Sequence, residues 1–167
     1  TQAQRNWILQ HGVMACETLI AVLRDSYWPT GDRTWRANAI AWADYLAKDC
    51  MQPYGVPVAD ESYGWAGPDR ATETCTVAAY IRLSIEMARL LGEGRYGDRV
   101  ERAFFNAAAA CTNPDFDKHV YVQTPNRTVV ENRADFTCPT TARYFLHKQW
   151  PLCCTAALTR YVPDYVQ

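Results

Sequence analysis

Two short motifs, far apart in the chain, carry the residue types best suited to chemistry. One is Glu73-Thr74-Cys75 and the other is the vicinal pair Cys153-Cys154. Three thiols and a carboxylate make a complete tetrahedral donor set for zinc. Adjacent cysteines would close a strained ring as a disulfide, so the pair reads better as two ligands. Glu73 and Cys75 are two positions apart, and on a regular helix they would face nearly opposite ways. They can share an ion only where the chain is extended or is capping a helix, with Thr72 or Thr74 as the expected cap. A thiol in the first turn of a helix is expected to have a lowered pKa, favouring the thiolate that ligation or attack requires. The alternative is two unrelated buried cysteine sites.

Other candidates surround this set. Glu61 stands in Asp60-Glu61-Ser62-Tyr63-Gly64, inside a glycine- and proline-rich stretch. A single loop carboxylate is usually just solvated, and Asp60 beside it is the alternative. Tyr63, Gly64 and Trp65 have the composition of a sugar-facing surface, although aromatics more often fill a core. His11 lies in a strongly apolar segment, where a histidine is more often a satisfied core residue. His119 and His147 fall in loops and receive no role. The chain contains no G-x-S-x-G, P-loop, G-x-G-x-x-G or H-E-x-x-H motif.

The elements that must position these residues read as helices. Apolar periodicity predicts helices over 3–27, 33–50, 75–91 and 95–111, and a fifth starting near 153. The first is apolar nearly all round and is expected to be buried on several sides. Long loops fill 51–72 and 112–152. Within the second, Tyr121-Val122-Gln123 and Thr128-Val129-Val130 could form short strands. A unit recurs: Gly31-Asp32 and Gly92-Glu93, Trp35 and Tyr96, Cys50 and Cys111, and Pro53 and Pro114 each stand 61 residues apart. The unit is a helical hairpin with a long loop, and such units must pack side by side to bury both faces. The expected architecture is all-α, part of an α/α toroid, with both metal motifs where a long loop meets a helix. Loops of that length are usually functional.

Composition narrows the class. Of 167 residues, 49% are apolar, which argues against disorder, and a net charge of −1 with interspersed signs argues against a nucleic-acid partner or a membrane surface. Seven cysteines fit no small disulfide framework, so Cys16, Cys50 and Cys111 are expected as buried hydrophobes and a reducing compartment is favoured. The chain begins without Met and ends without a capping signal, so it is expected to be a piece of a longer one.

Taken together, Glu-Ser-aromatic-Gly at 61–64, Glu-Thr-Cys at 73–75, Gly-Glu-Gly-Arg-Tyr-Gly-Asp-Arg-Val-Glu-Arg-Ala-Phe-Phe-Asn-Ala from Gly92 and Cys-Cys-Thr-Ala from Cys153 resemble glycoside hydrolase family 127. The segment from His11 to Asp32 is similar to that family's histidine-bearing helix and turn. The resemblance implies an (α/α)6 barrel, of which 1–167 would be a partial catalytic domain, inactive by itself if the rest of the barrel closes the sugar pocket. It implies retaining hydrolysis of β-L-arabinofuranosides or related plant-glycan sugars. Zn²⁺ would be held by Glu73, Cys75, Cys153 and Cys154, with Cys153 as nucleophile, Glu61 as general acid/base and His11 on a sugar hydroxyl. Two other readings stand beside it: a non-catalytic helical-repeat domain with a structural Cys3Glu zinc site, and a toroid with unrelated catalytic carboxylates.

Overall fold

A computed structural model describes residues 10–126, 130, 144–149 and 152–166. Five helices dominate. Helix α1 (Gly12–Ala21) continues through a π-helical turn, Val22–Tyr27, and a short helical segment, Trp28–Thr30. Helix α2 spans Arg33–Asp49, α3 Thr74–Leu91, and α4 Gly94–Arg102. The last continues as a π turn, Ala103–Ala107, and a 3₁₀ turn, Ala108–Cys111. Helix α5 spans Leu152–Val166. Among the described residues, four short strands lie in the loops: β1 (Thr72–Glu73), β2 (Lys118–Val120), β3 (Val122–Gln123) and β4 (Tyr144–Leu146). Antiparallel pairing joins β1 to β3 and β2 to β4.

The 61-residue recurrence is visible in the backbone. Gly31 (φ 67°) and Gly92 (φ 70°) each end a helix in the left-handed conformation that glycine adopts at little cost. Their amides return to Tyr27 O and Ala88 O. Asp32 and Glu93 then start the next helices, and the Asp32 carboxylate accepts from Thr34 N at 2.8 Å. Cys50 and Cys111, at the far ends, are fully buried, as is Cys16.

Layering follows from which faces are apolar. Helix α3 is buried all round from Thr74 to Ile81, and it packs against α1, α4 and α5. Helix α2 buries only the stripe Ala39, Ala43 and Leu46, and α4 buries Tyr96 and Val100. Ion pairs from Arg36 to Glu93 and from Arg95 and Arg99 to Asp44 join these two helices at the surface, where such contacts stabilise little.

Three expectations change. The helix predicted over 3–27 is described from Gln10 and is broken at His11, which is extended, so α1 starts at Gly12; Trp7, Ile8 and Leu9 lie outside the described residues. The described helix buries one face, with Gly12, Ala15, Cys16, Leu19 and Ile20, and Met14 stands 38% exposed, so α1 is not enclosed by the described residues. The strand expected at Thr128-Val129-Val130 falls mostly outside the described residues, and Tyr121 is a bend between β2 and β3 rather than part of a strand. The 51–72 loop is tied down: Val56, Val58 and Ala59 are fully buried, and the Gln52 side-chain amide donates to Gly67 O and Arg70 O.

Candidate metal and catalytic centre

Glu73 and Cys75 meet because the backbone changes conformation between them. Glu73 is extended (φ −68°, ψ 141°) and pairs with Val122, and Thr74 opens α3. Thr74 is pinned on both sides, its amide donating to Tyr121 O at 2.8 Å and its hydroxyl to Val120 O at 2.7 Å. Neither expected threonine caps the helix, since Thr72 spends its hydroxyl on Pro57 O. Glu73 is itself the capping residue, but its carboxylate makes no cap hydrogen bond and lies beside the thiols instead.

The first turn of α5 supplies the other half. Cys154 Sγ lies 3.4 Å from Cys75 Sγ, and Cys153 Sγ lies 4.0 Å from Cys154 Sγ. Cys153 and Cys154 each stand 3.9 Å from Glu73 Oε1. One donor atom from each of the four residues lies within 4.8 Å of every other. Glu73, Cys75 and Cys154 are buried, and Cys153 is exposed.

The residues fit a metal ion. With zinc–sulfur bonds of about 2.3 Å, the edge between two sulfurs of a tetrahedron is about 3.8 Å. The sulfur separations bracket that length before any ion draws them in. Among the described residues, none hydrogen-bonds the buried Glu73 Oε2, and buried carboxylate oxygens are seldom left unsatisfied. Electrostatics point the same way. Burial and then the Glu61 charge raise the Glu73 carboxyl to about 7. Burial, then the neighbouring Cys75, pushes the Cys153 thiol up to about 12. Cys75 is raised by the hydrogen bond its thiol donates to Cys154 and by burial. Both thiols are therefore raised, not lowered as expected of a helix start: burial leads for Cys153, and the hydrogen bond to Cys154 leads for Cys75. A divalent cation reverses that shift.

Glu61 and His11 come together next to this cluster. His11 precedes α1 in extended conformation and pairs with Ser62, while Gly12 N donates to Glu61 O at 2.8 Å and Tyr63 N to Gln10 O at 2.7 Å. The His11 ring caps α1, its Nδ1 accepting from Met14 N at 3.3 Å. That leaves the ring proton on Nε2, which donates to Glu61 Oε2 at 3.0 Å. The structure thus places His11 on the carboxylate of Glu61. His11, Glu61 and Glu73 also share donor atoms within 4.8 Å of one another, so Glu73 belongs to both groups. Asp60 points elsewhere, onto Arg70 Nη2 at 3.1 Å. Tyr63 turns its hydroxyl inward to Gly12 O, and Trp65 is 82% exposed.

Sequence reasoning missed Tyr121. Its hydroxyl donates to Glu61 Oε1, and its ring is 7% exposed. Its sequence signal was its place in Tyr121-Val122-Gln123, read as a possible strand, which says nothing of a partner 60 residues upstream.

Among solved structures, the chain is similar to one described as "Glycoside hydrolase", at TM-score 0.76 and 18% identity over 93% of this chain. It spans 29% of that structure's length. A family 76 glycoside hydrolase from a bovine Bacteroides thetaiotaomicron strain aligns at TM-score 0.49 and 15% identity, over 92% of this chain and 33% of that one. No curated protein sequence matches. The fold is all-α, a segment of an α/α toroid. A sequence model described as beta-L-arabinofuranosidase, GH127 catalytic domain, matches residues 54–167, a span that contains Glu61, Glu73, Cys75, Cys153 and Cys154 but not His11. On that match the chain belongs to the GH127 β-L-arabinofuranosidase catalytic-domain family.

Proposed function

We propose that residues 1–167 form part of the α/α-barrel catalytic domain of a retaining glycosidase acting on β-L-arabinofuranosides, with Cys153 as nucleophile and Glu61 as general acid/base. One observation carries the reading. Glu73 lies 3.9 Å from the exposed Cys153 sulfur, and its carboxylate also lies within 4.8 Å of the Glu61 carboxylate, so nucleophile and acid/base share a neighbour. A closed structural metal site would not leave one thiol exposed.

The chemistry follows from these positions. Cys153 Sγ attacks the anomeric carbon. The bond to the aglycone breaks, its electron pair passes to the leaving oxygen, and that oxygen takes the proton from Glu61. Glu61, now a carboxylate, takes a proton from water, whose oxygen attacks the same carbon. The carbon–sulfur bond breaks and its electron pair returns to Cys153. Two inversions retain the configuration. Glu73, Cys75, Cys153 and Cys154 would hold Zn²⁺, whose charge keeps the Cys153 sulfur deprotonated and able to leave. His11 would hydrogen-bond a sugar hydroxyl.

Metal analysis and one substitution test this. Purified intact protein is expected to carry one zinc per chain, lost when Cys153 and Cys154 are both changed to Ser. Cys153→Ser is expected to abolish hydrolysis of aryl β-L-arabinofuranosides. Protein free of zinc, or a Cys153→Ser variant within a few-fold of the parent rate, rules the assignment out.

A further inference from the structure

We propose that Tyr121 is a positioning residue for the acid/base: it fixes Glu61 Oε1 and thereby leaves Oε2 as the oxygen that carries the proton. The proposal rests on the reading of Glu61 as general acid/base.

Three consecutive residues build the argument. Val120 O accepts the Thr74 hydroxyl, Tyr121 O accepts the Thr74 amide, and Val122 pairs with Glu73. The segment 120–122 is therefore locked to the start of α3, where the carboxylate and the first thiol sit. From the middle of that segment the Tyr121 side chain crosses to Glu61, on a different loop. A buried aromatic ring with a polar tip holds a partner at low entropic cost. Tyr121 thus adds a side-chain link between the metal motif and the acid/base, beside the main-chain bond from Glu73 N to Ala59 O at 2.9 Å.

The two carboxylate oxygens are not equivalent. Oε1 receives the phenol, and Oε2 receives the His11 Nε2 proton. Both donors favour the carboxylate, so one must yield before Glu61 can be protonated. Tyr121 is held by backbone contacts on both flanks and is buried. The His11 ring sits at the start of α1 and, in the reading above, turns its Nε2–H to a sugar hydroxyl. Sugar binding then frees Oε2 to hold the proton, which passes to the glycosidic oxygen as the carbon–oxygen bond breaks. Water later returns a proton to the same oxygen.

The test is Tyr121→Phe in the intact protein, which keeps the ring and the main-chain acceptor and removes only the hydroxyl. An alkyl β-L-arabinofuranoside needs its leaving oxygen protonated, and a nitrophenyl one scarcely does. The expected loss in kcat/KM is about ten- to hundredfold on the alkyl glycoside, in line with the cost of a misplaced catalytic group, and less than about threefold on the nitrophenyl glycoside. Zinc content is expected to stay at the parent value. Equal losses on both substrates, or no loss on either, overturn the proposal. Glu61→Gln separates the two failures. If it shows no leaving-group dependence, the acid/base reading itself is wrong. If it does and Tyr121→Phe does not, only the role of Tyr121 falls.

Discussion

At the scale of residues, exposure distinguishes the clustered thiols. Cys75 and Cys154 are buried, and Cys153 alone of the three thiols reaches the surface. Glu61 lies outside the sulfur cluster, so the two functions should separate on substitution. Glu61→Gln is expected to leave zinc content unchanged while lowering the hydrolysis of poor-leaving-group substrates by about a hundredfold or more; atomic absorption and steady-state kinetics on one preparation check both. Loss of zinc in this variant would place Glu61 among the ligands. The grouping of Glu73, Cys75, Cys153 and Cys154 was legible in the sequence, because these residue types are chemically conspicuous. That Asp60 turns to Arg70 while Glu61 meets His11 was not, since it depends on which side of the loop each faces. Tyr121 was hidden for a related reason. A hydrogen bond between residues of two loops leaves no periodicity behind.

At the scale of elements, the centre depends on close contact between the starts of α1 and α3. Gly12 sits where a Cβ would stand 2.5 Å from Ala59 Cβ and 2.6 Å from Thr76 Oγ1. Its φ is ordinary, so the requirement is space. Gly12→Ala is expected to destabilise the fold by about 1–3 kcal/mol through overpacking. It should also lower activity beyond what stability explains, because His11 is the adjacent residue and Glu61 O bonds the Gly12 amide. Urea unfolding and kinetics at a temperature where the variant is folded measure the two effects. An unchanged midpoint would show that the contact relaxes freely. Helix positions were well read from periodicity, since α2 and α3 begin and end within one residue of expectation. The π turns at Val22–Tyr27 and Ala103–Ala107 were not, because segments of 6 and 5 residues are too short to show a period of their own.

At the scale of the molecule, no described helix is long and apolar enough to cross a membrane, and stability rests on a core that holds ionisable groups neutral. Burial pushes the thiols of Cys16 and Cys111 up to about 12. In the unfolded chain a thiol titrates near ~8.5. A group raised in the folded state contributes fully below its unfolded pKa, and its contribution is lost as pH climbs toward the folded value. Each thiol should therefore cost about 1.4 kcal/mol of stability per pH unit within that window. The melting temperature is expected to fall steeply above about pH 9, and less steeply in Cys111→Ala. A melting temperature flat across that range would mean the thiols ionise without unfolding.

The 3.4 Å gap between the Cys75 and Cys154 sulfurs has a consequence for handling the protein. Two thiols that close need little movement to lose two electrons to dissolved oxygen and form a disulfide. The cation proposed above would occupy both sulfurs and block that route. Chelation in air is therefore expected to become irreversible: the stripped protein should lose two titratable thiols and refuse zinc until a dithiol reductant is added. Chelation under argon should leave it fully reloadable. If aerobic stripping costs no thiols, the two sulfurs are held apart more firmly than their spacing implies.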